Sequence, residues 1–347
     1  MSRRTSTIMG AVTLATVALL AGCTPSVETE PEPSATSAEH HGFPVTIENP
    51  YGETVVPRAP QRIVTLGPDG TDALLALGVR GPVGAVLSDS GDPAELPVWT
   101  QEALDELAVD DPEVLPGGET LPYAEITALE PDLILAVSVE LDRDRYEQLA
   151  AIAPTVATLP GTTSWQDAVS VVGMVMGEDE AAAAAIDSVD QKLTAITDAH
   201  PQLDGVTVAA ATTAATDPTG TFSVFAEDAS PVQLLEDLGF TIPASVVEGT
   251  RLDSSTFPVA ADQAAGLTSD ILVYYAATQA EYDAWLASPV AQSLAQVAGG
   301  NVAPVIGADL VQAVGSPSAL SIPWGLDGLV AALGGTALGA VPAPTKG

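Results

Sequence analysis

Cysteine is nearly absent from this sequence: Cys23 is the only one in 347 residues. A chain with a single thiol forms no internal disulfide and no cysteine-based zinc site. Basic residues are scarce as well, 10 Lys and Arg against 46 Asp and Glu, for a formal net charge of −36. Nucleic acid binds through basic patches that release counterions, so it is excluded as a partner. Polyanionic ligands are disfavoured unless a local basic cluster gathers them. Charge of this size fits a salty habitat and fits a partner equally well. Histidine is confined to His40, His41 and His200. A Ser-His-Asp triad would have to use His200, which stands beside the helix-stopping Pro201. The turn Gly67-Pro68-Asp69-Gly70 lacks the lysine or third glycine of a phosphate loop. No residue set forms a catalytic centre, and no protein-held metal or cofactor is expected. Binding is favoured over catalysis.

What the chain does have begins at its first residues. Arg3 and Arg4 give a positive start, and Ile8 to Ala21 is an uncharged apolar run too short to span a bilayer. Leu20-Ala21-Gly22-Cys23 then places small residues before the cysteine. Charge, short apolar core and small-residue cleavage site are the three parts of a signal peptide, and the last resembles a bacterial lipobox. Residues 1–22 are read as the signal, and Cys23 as a lipidated residue anchoring the chain to the outer face of the cell membrane without spanning it. Ser2-Arg3-Arg4 also fits twin-arginine export. Cleavage removes two arginines and leaves 8 basic against 46 acidic residues, a net charge of −38. Residues 23–42, rich in Pro, Ser, Thr and Glu, are read as a disordered tether. His40 and His41 fall in that spacer.

Hydrophobic content of 46% suffices for packed cores. Short apolar runs recur at Ile63–Leu66, Val83–Leu87, Leu133–Val137, Val156–Leu159, Val206–Ala211, Ile271–Tyr275 and Val302–Ile306. Continuous rather than alternating apolarity predicts strands buried on both faces of a mostly parallel sheet. Helical stretches at Asp72–Leu77, Tyr146–Ile152 and Leu234–Leu238 fall between them, so the class is α/β. The middle differs. Ser164 with Asp167 forms a capping-box start, and Gly177 follows that helix. A second helix runs from about Asp179 to Ala199, with Ile186, Val189, Leu193 and Ile196 along one face. The pattern predicts an N-terminal lobe over 43–164, a helical linker over 165–199 and a C-terminal lobe over 200–342. The lobes also echo each other: Glu125-Ile126 leads to Pro131-Asp132-Leu133, and Asp262-Gln263 leads to Ser269-Asp270-Ile271.

Pro60-Gln61-Arg62-Ile63-Val64 resembles the opening of the helical-backbone substrate-binding proteins of iron-siderophore and cobalamin ABC importers. Ile126-Thr127-Ala128-Leu129-Glu130-Pro131-Asp132-Leu133 is similar to their helix-to-strand signature, and Ser316-Pro317-Ser318-Ala319-Leu320-Ser321-Ile322-Pro323-Trp324 to their closing helix. The resemblance covers residues 43–340. It implies two Rossmann-like lobes around a ligand cleft, and one acid per lobe that docks on a membrane permease driven by an ATPase. Asp262 matches the second docking acid; Glu125 lies one residue from the first position, which holds Ala124.

A cleft is expected at the carboxyl ends of the strands. Tyr123, Arg143, Trp165, Arg251, Tyr275 and Trp324 are the candidate ligand contacts, aromatic faces covering a chelate and arginines meeting its oxygens. Arg251 is the only Arg or Lys between Lys192 and Lys346; a surface salt bridge would explain it too. So few basic residues favour a neutral or cationic ferric hydroxamate over a ferric catecholate, with cobalamin and haem as alternatives. The chain is expected to act as a monomer. A non-transporting sensor or scaffold of the same fold is the other reading.

Overall fold

The structure, a computed structural model, describes residues 42–79, 81–87, 96–118, 120–159, 163–213, 222–250, 254–260 and 262–337. Cys23, the signal and the tether up to His41 lie outside them, as does Arg251. An antiparallel hairpin comes first, β1 (Val45–Asn49) and β2 (Gly52–Val56). The first lobe then alternates β3 (Ile63–Leu66), α1 (Pro68–Ala76), β4 (Gly84–Leu87), α2 (Val98–Leu107), β5 (Glu113–Pro116), α3 (Tyr123–Ala128), β6 (Leu133–Ala136), α4 (Arg143–Ala150) and β7 (Thr155–Ala157). Two helices follow, α5 (Trp165–Met176) and α6 (Asp179–Ala199). The second lobe carries β8 (Val208–Thr212), β9 (Phe222–Phe225), α7 (Ser230–Asp237), α8 (Ala244–Val247), β10 (Thr256–Val259) and β11 (Ile271–Ala276). It ends with α9 (Gln279–Leu286), α10 (Pro289–Gln292), α11 (Ala295–Gly299), β12 (Val302–Ile306), α12 (Ala308–Gly315) and α13 (Ser321–Gly334).

Both lobes lie in one body, His41–Gly347. Sheet order is β5-β4-β3-β6-β7 in the first lobe and β10-β9-β8-β11-β12 in the second. In chain order within each lobe, both read third-second-first-fourth-fifth, the doubly wound order with its switch point between first and fourth strands. The first sheet is parallel throughout. The second is mostly parallel as expected, with β9 alone reversed, antiparallel to both β8 and β10. The central strands β3, β6 and β11 are buried along their whole length, which is why their sequences are continuously apolar.

The echo between the halves has a geometric cause. Asp132, just before β6, accepts hydrogen bonds at Oδ1 from the backbone N–H of Gln61 (3.0 Å) and Arg62 (2.8 Å), the latter just before β3. Asp270, just before β11, accepts at Oδ2 from the backbone N–H of Thr207 (3.0 Å) and its hydroxyl (2.6 Å), at the same place beside β8. Each carboxylate thus fixes the start of the two strands that flank the switch point. The bonds from Thr207 hold the Asp270 carboxyl below its usual value.

Between the lobes, Ser164 caps α5: its Oγ accepts from Asp167 N–H at 3.0 Å, and Asp167 Oδ2 accepts from Ser164 N–H at 3.2 Å, worth about 1 kcal/mol. Gly177 ends α5 at φ 72, left-handed backbone open to glycine at little cost. The long helix α6 buries Val189 and Leu193 and half-buries Ile186 and Ile196; full burial of such a side chain contributes about 1.5–3 kcal/mol. One core cluster runs from Leu133 and Leu135 through Val172 and Val189 to Val208 and Leu329, so it is shared by both lobes. Two smaller clusters back the outer faces of the sheets.

Candidate functional site

The carboxyl ends of β3, β4, β5 and β6 open into a cavity of about 420 Å³ at the first lobe's switch point. Leu66, Val86, Leu121 and Leu141 give it apolar walls, and Asp69, Ser138, Glu140 and Arg145 give it polar ones. Gly67 makes the turn out of β3 at φ 75, and a Cβ there would stand 3.1 Å from Val139 Cγ2; only glycine lets the loop after β6 approach so closely. Ser138 adopts a left-handed backbone, φ 57, held by its N–H donating to Thr158 Oγ1 at 2.8 Å. Its Oγ is buried and faces the Asp69 carboxyl. Burial pushes the Asp69 carboxyl up to about 6; the facing Ser138 hydroxyl offsets part of this, and the nearby Asp72 charge adds to it.

Arg145 is held by Asp142, the N-cap of α4, whose Oδ1 accepts from Arg145 N–H at 2.7 Å and whose Oδ2 lies 3.8 Å from Arg145 Nε. The loop beneath is braced by the Tyr51 hydroxyl, which donates to the Leu141 carbonyl. Tyr51 also stacks on Tyr146 with ring centroids 4.5 Å apart.

A second cluster ties the closing helix to the first lobe. Asp72 is buried on α1 and accepts from Trp99 Nε1 (2.7 Å), Thr100 Oγ1 (2.7 Å) and Ser318 Oγ (2.5 Å). Burial holds its carboxyl above the usual range against those three donors. Trp324 packs on Trp99 at the same junction, centroids 5.5 Å apart.

The residues expected to contact ligand scatter accordingly. Trp165 (8% exposed) and Tyr275 (2% exposed) are core residues, not cleft surfaces: Trp165 begins α5 inside the shared core, and Tyr275 packs edge-on against Phe225 within β11. Arg143 is turned away from the cavity, its guanidinium carbon 5.8 Å from the Tyr51 ring centroid. Tyr123 is half-buried at the start of α3 beside the Arg145 charge, outside the cavity wall, and burial raises its phenol. Trp324 lies at the junction of the lobes. Glu125 is exposed in the first turn of α3, and Asp262 is exposed in a turn ahead of a short 3-10 helix, Ala264–Gly266. Asp69, Ser138, Glu140 and Arg145 were not singled out from the sequence. A readable signal existed for three of them: Asp69, Ser138 and Glu140 each lie within four residues after a strand of the switch point.

Two α/β lobes of the same strand order, one shared core and a ligand-sized cavity at a switch point define a bilobal substrate-binding protein. Comparison gives the family: residues 63–304 match the model described as periplasmic binding protein, and the chain belongs to it. It is similar to the probable siderophore-binding lipoprotein YfiY of Bacillus subtilis, 29% identical over 303 residues, covering 84% of this chain and 87% of that one. It is also similar to the ferric enterobactin-binding periplasmic protein FepB of Escherichia coli, 28% identical over 74% of this chain and 81% of the other. Among solved structures, Streptococcus pneumoniae PiaA in complex with ferrichrome superposes with a TM-score of 0.72 at 23% identity, over 84% of this chain and 97% of that one.

Proposed function

We propose that this chain captures a ferric siderophore outside the cytoplasm and delivers it to an ABC permease for iron uptake, binding its cargo without chemistry. The supporting observation is the switch-point cavity, on a fold whose relatives carry siderophore-binding names. Those relatives differ in named ligand, so the chelate class rests on this chain's own wall. Arg145 is the single cation in it among the described residues, alongside Asp69 and Glu140. One arginine suits carbonyl or hydroxamate oxygens, whereas a multiply anionic chelate calls for several converging cations. A neutral or cationic ferric hydroxamate is the favoured cargo.

The exposed Glu125 and Asp262 are proposed to meet basic residues of the permease. Lipid on Cys23 would keep the monomeric receptor near that permease at high local concentration; no helix of the described residues is long and apolar enough to cross a membrane. Tryptophan-fluorescence titration of the purified chain with ferric hydroxamates, ferric catecholates, haem and cobalamin tests the proposal. Micromolar or tighter binding of a ferric hydroxamate supports it, preference for haem or cobalamin replaces the cargo, and silence toward all four overturns it. For docking, Glu125→Lys combined with Asp262→Lys should cut cellular uptake of the chelate; full uptake removes both from that role.

A further inference from the structure

The cavity wall carries more negative charge than a neutral chelate requires. Among the described residues, two of its three charged side chains are acids, and neither Asp69 nor Glu140 forms an ion pair. Arg145, the cation among the described wall residues, already lies 3.8 Å from the Asp142 carboxylate. A carboxylate drawn into a wall of Leu66, Val86 and Leu121 with no counter-ion loses hydration without replacement. Beside it sits the buried Ser138 Oγ, which faces the Asp69 carboxyl and keeps free acceptor capacity. An acceptor pair, apolar walls and net negative charge together describe a receptor for a cation on an aliphatic stem.

We infer that the cavity takes the pendant ammonium arm of a cationic ferric hydroxamate, with Asp69 as counter-ion and Ser138 Oγ as second acceptor. The apolar walls cover the methylenes of the arm, and Arg145 faces the chelate oxygens. This rests on the siderophore reading and sharpens it: the metal centre is common to many chelates, and the arm is what this cavity selects.

The test compares two ligands that differ only at the arm, ferrioxamine B, which ends in a free ammonium, and its N-acetylated form, which is neutral. Binding of each to the purified full-length chain is measured by tryptophan fluorescence at pH 7.5, for the native chain and for Asp69→Asn. The native chain should bind the ammonium form at least tenfold more tightly, and Asp69→Asn should bring the ratio to within about twofold of one. A native ratio near one overturns the inference while leaving siderophore binding in place. A ratio that survives in a folded Asp69→Asn chain also overturns it. Binding of neither form overturns the inference, and catecholate, haem and cobalamin titrations then decide whether the siderophore reading fails with it. Should Asp69→Asn not fold, Ser138→Ala supplies the second variant, with an expected ratio below the native one.

Discussion

A carboxylate retained for a ligand should cost the free protein stability, and Asp69→Asn measures that cost. The Asp69 carboxyl rises from its ordinary 3.8 to about 6 on folding. Between those two values the folded chain holds a proton that the unfolded chain has lost, so stability falls as pH climbs through that window. Above about pH 6 the folded state carries the whole penalty. A displacement of two pH units corresponds to about 3 kcal/mol. The side chain is partly open to solvent, and screening reduces this to about 1–2 kcal/mol. Asp69 also lies in the first turn of α1, where a negative charge gains about 0.3–1 kcal/mol from the helix dipole. The net expectation is that Asp69→Asn stabilises the free chain by about 1 kcal/mol at pH 7.5, with the gain fading toward pH 4. Urea unfolding of both chains at pH 4, 5, 6 and 7.5 reads the difference directly, because titrations common to both cancel. A variant less stable than the native chain at pH 7.5 would refute the reasoning, since Asp69 would then be holding the fold together. A gap that does not change with pH would refute it too.

The junction at Asp72 makes the opposite prediction: Asp72→Ala strands three buried donors and should cost about 3–5 kcal/mol in urea unfolding. Asp72→Asn keeps one acceptor oxygen and should cost less; equal losses would count against the network. Gly173→Ala would place a Cβ 2.4 Å from that of Ala182 where α5 meets α6, costing about 1–3 kcal/mol. The control Gly334→Ala, with open space around it, should not lower the melting temperature in calorimetry. Arg145→Ala should weaken ferric hydroxamate binding about tenfold while Arg143→Ala changes it less than twofold, a loss of about 1.4 kcal/mol against almost none; a reversed order would place the cavity wall wrongly.

Strands and the linking helices were legible because their signals are local. The runs at Ile63–Leu66 and Val302–Ile306 became strands with those same ends; the first is buried on both faces and so is apolar at every position, while the second, at the sheet edge, buries alternate residues. The capping box at Ser164 and the one-sided stripe of α6 depend only on neighbours a turn away. Strands β9 and β10 were missed: Phe222–Phe225 and Thr256–Val259 pair antiparallel toward the outer edge of the second sheet, where the apolar pattern is weaker. The echo of Asp132 and Asp270 was visible in sequence, but its purpose, clamping strands far apart in the chain, was not.

The sequence by itself determined an α/β chain with two repeating halves, a long helix between them and a strongly negative charge. Only the tertiary structure decided which side chains face the cavity. Arg143 and Arg145 look interchangeable in the sequence, yet two residues on a helix point about 200° apart, so one covers Tyr51 and the other enters the cavity. Trp165 and Tyr275 have the chemistry of a binding surface, but sheet order and the packing of α5 spend them on the core. Asp69 and Ser138, separated by 69 positions in the sequence, meet because β3 and β6 are neighbours at the switch point. Local composition sets what each segment can become, and which residues then meet is set by long-range strand order and helix phase.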